Sequence, residues 1–130
     1  MKKLILIGSI FAMLGVIIGA FAAHTLQPVM TSTQAHSFET GVKYQLLHSL
    51  AILIMAVLYK TSNQKLFITA AYLFSIGIVL FSFSLYLLSL KQLLGISNWT
   101  FLGPITPLGG LMFICGWIMV LWAAIKLKHD

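Results

Sequence analysis

GVIIGAFAAHTLQPVMTSTQAHSFETGVKYQLLHSL, residues 15–50, is the stretch that decides how this chain folds. Its two ends belong to strongly apolar runs, and each run carries a histidine: His24 where the first run closes, His48 inside the second. Between them lies the longest polar segment of the protein. Toward the N-terminus the first run extends back to Leu4, uncharged throughout, behind Lys2 and Lys3. About 20 helical residues at ~1.5 Å each cross a ~30 Å hydrocarbon core. A secretory signal with Ala20-Phe21-Ala22 as its cleavage site is the rival, but an apolar signal core is usually only about 7–15 residues long. Within the run, Gly8, Ala12, Gly15, Gly19 and Ala23 recur at spacings of four and three and share one helix face. Small residues let a second backbone approach closely, which is how helices associate in lipid.

Composition agrees. The chain has 130 residues, is 60% hydrophobic and 8% charged, and has a mean hydropathy of +1.02. About a quarter of a soluble domain is charged, so lipid is expected to cover most of this one. The net charge is +6, from eight lysines against Glu39 and Asp130, with no arginine. The lysines sit at the ends of apolar runs, where topology signals belong, and no nucleic-acid partner is expected. Cys115 is the only cysteine and lies in an apolar run.

Beyond the first run, Thr25 to Thr40 reads as a polar connection in which Pro28 limits helix. From about Thr33 the pattern becomes helical, with Glu39 and Lys43 at i, i+4 in the favourable order. The second span is expected over about 41–59, with Gly41, Tyr44, His48, Ala51 and Met55 on one face. After a short turn at residues 60–65, a third span is expected over about 66–89, with Ser75, Ser82, Tyr86 and Ser89 on one face. Such hydroxyls are best satisfied by a neighbouring helix or by a backbone carbonyl of their own turn. A loop with Gly95, Asn98 and Trp99 leads to a fourth span over about 107–125, with Thr106 as N-cap and Pro107 at the first helical position. Gly109 and Gly116, seven apart, share a face, and Trp122 is a candidate interface anchor. Placing Lys2, Lys3, Lys60, Lys65, Lys126 and Lys128 inside leaves only Lys43 and Lys91 outside. The expectation is therefore an all-α membrane protein of one domain, residues 1–130, with four transmembrane helices in an antiparallel bundle and both termini cytoplasmic.

No span contains a carboxylate, so a proton-coupled intramembrane acid is excluded. No nucleophile–base constellation, phosphate-binding glycine loop or zinc-protease motif is present, and a non-enzymatic protein is expected. The groups within the bilayer that titrate near neutrality are His24 and His48. Such a pair can ligate haem, form part of a metal site with Met30, Met55 or Cys115, or hydrogen-bond a quinone or other small ligand. It can equally lock two helices by bonding a carbonyl or a hydroxyl. Two histidines are too few for a closed zinc site; no metal and no cofactor is assigned. Antiparallel neighbours joined by a short connection pack together by default. A small pocket lined by His24, Tyr44, His48 and Tyr86 is expected near the outer surface, its imidazoles within about 8 Å of one another, close enough for one bridging ligand or water. The glycines Gly8, Gly15, Gly19, Gly109 and Gly116 are the candidate helix-packing positions. His36 and His129 lie in polar segments and receive no role.

Four segments in order carry a resemblance: Gly19-Ala-Phe-Ala-Ala-His24, then Phe38-Glu-Thr-Gly-Val-Lys-Tyr44-Gln-Leu-Leu-His48-Ser-Leu-Ala51, then Phe81-Ser-Phe-Ser-Leu-Tyr86, then Thr106-Pro-Leu-Gly-Gly110 with Gly116-Trp117. The chain resembles the small bacterial membrane proteins of domain-of-unknown-function family 423, also called uncharacterised protein family 0382. The resemblance implies a multi-pass plasma- or inner-membrane protein without signal cleavage, and it marks His24, Tyr44, His48, Ser84, Tyr86, Thr106 and Pro107 as signature positions. It implies no activity. Expected partners are the lipid bilayer and either a second copy or another membrane protein.

Overall fold

The computed structural model describes residues 1–127. Lys128 and His129, to which the sequence assigned an inner-side charge and a solvent position, lie outside the described residues. Helix α1 covers Lys2–Phe21 and runs on through a π turn, Ala22–Leu26, and a 3-10 turn, Gln27–Val29. Helix α2 covers Ser32–Ser62. Helix α3, Leu66–Gly77, passes through a second π turn, Ile78–Ser82, directly into α4, Phe83–Leu90. Helix α5 covers Leu102–Lys126. Among the described residues, four helical segments are long and apolar enough to cross a membrane.

The first connection is shorter than expected. The sequence suggested a polar connection from Thr25 that turns helical again at about Thr33; α2 does start there, at Ser32, but the chain before it leaves helical conformation only at Met30 and Thr31, which are extended. Pro28 sits at the start of a 3-10 turn, where a missing N–H costs little. Thr31 then caps α2 reciprocally: Gln34 N–H donates to Thr31 Oγ1 at 3.3 Å, and Thr31 N–H donates to Gln34 Oε1 at 2.9 Å. That box starts α2 two turns ahead of its apolar part. At ~1.5 Å per residue the 31 residues reach about 46 Å, so its polar first turns project beyond a ~30 Å core. Asn63, in the left-handed region at φ 53°, ends it.

The start of α5 also differs. Thr106 is not its cap, and Pro107 lies inside the helix, because α5 begins at Leu102. Pro104 falls in the first turn, where amide protons have no intrahelical partner. Pro107 removes a single bond, the one to Gly103, one turn from the helix end. The Thr106 hydroxyl is engaged elsewhere: it lies 2.7 Å from Ser84 Oγ on α4.

Helices α2 and α3 form the middle of the bundle, with α1 packed on α2 and α5 packed on α3. Glycines set both outer contacts. A Cβ on Gly8 would lie 2.8 Å from Leu53 Cδ2, on Gly15 2.7 Å from Leu46 Cδ2, and on Gly19 3.1 Å from Val42 Cγ1. On the other side, Gly116 receives the ring of Phe74, and Gly109 lies against the Phe81 backbone. Phe113 of α5 fills the notch at Gly77 of α3 in return, a position the sequence spacing had not marked. Toward the end that carries the N-terminus the core is dry, built on Ile52, Met55, Phe67, Phe74 and Ile78. A smaller cluster of Ala22, Phe38 and Tyr86 closes the opposite end.

Candidate functional site

The glycine contacts set the register between α1 and α2. Gly8 opposes Leu53, Gly15 opposes Leu46 and Gly19 opposes Val42, so each step up α1 meets one step down α2. His48 is therefore level with residue 13, while His24 lies 11 residues further along α1, about 16 Å at ~1.5 Å per residue. The two imidazoles do not face each other across one pocket. His24 is exposed in the π turn at the end of α1, and His48 is 2% exposed near the middle of the bundle. The expected four-residue pocket resolves into separate places. Tyr44 and His48 belong to a groove toward α5, Tyr86 to a buried network toward α1, and His24 to neither.

His48 has a partner at each ring nitrogen. Nδ1 lies 2.9 Å from the Tyr44 carbonyl oxygen, and Trp117 Nε1–H donates to Nε2 at 3.2 Å. A carbonyl only accepts and an indole N–H only donates. The ring is therefore neutral, protonated on Nδ1. Phe113 stacks on it at 3.7 Å between centroids, and Phe74 packs at 5.2 Å. Coordination of iron or zinc through Nε2 first requires Trp117 to leave. Among the described residues no cluster of three metal-ligating side chains occurs. Met55 is buried in the dry core and Met30 lines a groove between α1 and α2.

The second centre forms on Gln45, which the sequence analysis did not single out. Gln45 is fully buried. Tyr86 O–H donates to its Oε1 at 2.7 Å, and its Nε2–H donates to the Phe11 carbonyl at 2.8 Å. One amide thus ties α4 and α1 to α2. Gln45 is the only carboxamide between Gly41 and Tyr59, and a polar group in an apolar span must find a partner. That rule could have marked it. A third link joins α4 to α5: the Ser84 hydroxyl donates to the Phe81 carbonyl at 2.9 Å, so the Thr106 hydroxyl donates to Ser84. Of the third-span hydroxyls expected on one face, Ser75 donates to the Ala71 carbonyl and Tyr86 to Gln45, whereas Ser82 Oγ and Ser89 Oγ are buried without a partner.

Beside His48, side chains of α2, the second π turn and α5 line a groove of about 410 Å³, walled by Tyr44, Leu47, Phe81, Phe113, Ile114 and Trp117. Its walls are aromatic and aliphatic, and both nitrogens of the imidazole at its edge are occupied.

Four apolar helices, joined by connections two to eleven residues long and linked through single buried polar side chains, define a polytopic α-helical membrane protein. The chain belongs to the family described as "Protein of unknown function (DUF423)", whose model matches residues 18–110. It is 43% identical over 127 residues to the UPF0382 membrane protein YwdK of Bacillus subtilis, covering 97% of this chain and 98% of that one. A UPF0382 membrane protein of Staphylococcus aureus is 40% identical over 97% of this chain and 98% of its own length. The UPF0382 inner membrane protein YgdD of Escherichia coli is 37% identical over 98% of this chain and 93% of its own. No solved structure matches. The protein is a multi-pass protein of the bacterial cell membrane.

Proposed function

We propose that this is a non-enzymatic membrane protein of a single four-span domain that acts through helix packing, with a second copy of itself or another membrane protein as partner. The observation that carries the reading is where its polar groups go. His48, Gln45, Tyr86, Ser84 and Thr106 use their hydrogen bonds inside the bundle. The outward faces of α1 and α5 carry the surfaces left for contact, including Val16 and Ile118. Single cysteines at these two positions, in a Cys115→Ser background, test the idea by oxidative cross-linking in native membranes. A cross-linked species from at least one face is expected; monomer alone from both would overturn the packing role. Both termini are assigned to the cytoplasm on the distribution of lysines. Labelling from outside at a cysteine replacing Thr33 or Asn98 fits this topology, and labelling at Asn63 overturns it.

A second reading rests on the groove beside His48. Its volume lies within the ~300–1,000 Å³ range of small-molecule sites, and its aromatic walls suit a flat, lipid-soluble ring such as a quinone. Absorbance spectra and solvent extracts of the purified protein separate the two. A haem Soret band or stoichiometric quinone favours the ligand-binding reading; a colourless, quinone-free protein favours packing alone.

A further inference from the structure

We propose that the groove between the far end of α1 and the start of α2 binds a phospholipid whose headgroup carries a primary ammonium, of the phosphatidylethanolamine kind. The groove holds about 240 Å³ and is walled by Gly19, Ala22, Ala23, Phe38 and Val42. The small residues of α1 create the space, and Gln27 is the further polar side chain of the lining. Its mouth carries Glu39 and Lys43.

Three features select the occupant. The first is depth. By the register of the glycine contacts, Glu39 and Lys43 are level with residues 22 and 18 of α1, where its apolar run is ending. That is the height of the lipid headgroups, with the groove reaching down toward the acyl region. The second is charge. Glu39 is the only carboxylate among the described residues of a chain with eight lysines. Among those residues no ion pair closes within 4.0 Å, and Glu39 and Lys43 stand one turn apart on α2, both exposed. The third is chemistry. An ethanolamine headgroup places an ammonium two carbons from a phosphate ester. The ammonium donates charge-assisted hydrogen bonds to Glu39 while Lys43 donates to the phosphate. A choline headgroup has no N–H to donate, and a glycerol headgroup brings no cation to Glu39.

The test uses the full-length protein in nanodiscs made from equal parts of phosphatidylethanolamine, phosphatidylcholine and phosphatidylglycerol. The protein is then released into mild detergent, and retained lipid is counted by native mass spectrometry. One phosphatidylethanolamine per chain is expected, preferred about tenfold over phosphatidylcholine, as for one charge-assisted hydrogen bond. Glu39→Gln, at an exposed position, should reduce that preference to about onefold with unchanged helical circular dichroism. Ala23→Leu, also exposed, places a side chain in the groove and should lower retention of every lipid. Retention in bulk proportion, a preference that survives Glu39→Gln, or unchanged retention in Ala23→Leu would each overturn the proposal.

Discussion

Replacing Gln45 with leucine probes the polar centre that joins three helices. The substitution keeps the volume roughly constant and removes both ends of the carboxamide. The bond from Nε2 to the Phe11 carbonyl goes first, at about 0.6 kcal/mol for an average interhelical hydrogen bond in lipid. The Tyr86 hydroxyl then loses its acceptor at a site only 7% exposed, and an orphaned buried donor costs ~1–3 kcal/mol. The expected loss is about 2–3 kcal/mol. Tyr86→Phe alone strands Gln45 Oε1 and should cost about 1–2 kcal/mol. In the double variant neither orphan remains, so its cost should fall below the sum of the singles by about 1 kcal/mol. Equilibrium unfolding in mixed micelles, titrating a mild detergent with sodium dodecyl sulfate and following helical circular dichroism, gives all four corners of the cycle. An interaction energy inside the additivity error of ~0.3–0.5 kcal/mol would refute the coupling.

Three further outcomes are expected. Gly109→Ala should destabilise more than Gly19→Ala in the same titration. The new methyl meets immovable Phe81 backbone in the first case and a side-chain tip at 3.1 Å in the second; equal losses would contradict this. Gly15→Leu should cost about 1–3 kcal/mol by overpacking against Leu46, and parental stability would mean that α1 and α2 do not meet there. Imidazole nitrogen NMR should show His48 neutral with its proton on Nδ1, and Trp117→Phe should shift the Nε2 resonance by removing its donor; a proton on Nε2 in the parent protein would overturn the assignment.

Local signals in this chain concern solvent and backbone. Runs without charge, bounded by lysines, state how many helices lipid can accept, and the repeat of Gly8, Gly15 and Gly19 states which face of α1 admits a neighbour. Both depend on composition and spacing within one segment, so the sequence by itself determined them, and the family with them. Depth and partnership are another matter. In water an apolar stripe marks the face that turns inward; in lipid the outward face is equally apolar, and hydrophobic period no longer says what meets what. Reading His24 and His48 as a pair followed from their lying on adjacent helices. The connection proved to be two extended residues, Met30 and Thr31, after a prolonged α1, and the resulting register placed the rings at different heights. The partner of His48 is Trp117, 69 residues away, and that of Gln45 is Tyr86, 41 residues away. Neither pairing has a local signature. Only the tertiary structure decided them, because a hydrogen bond between helices depends on which helices are neighbours, at what rotation and at what height.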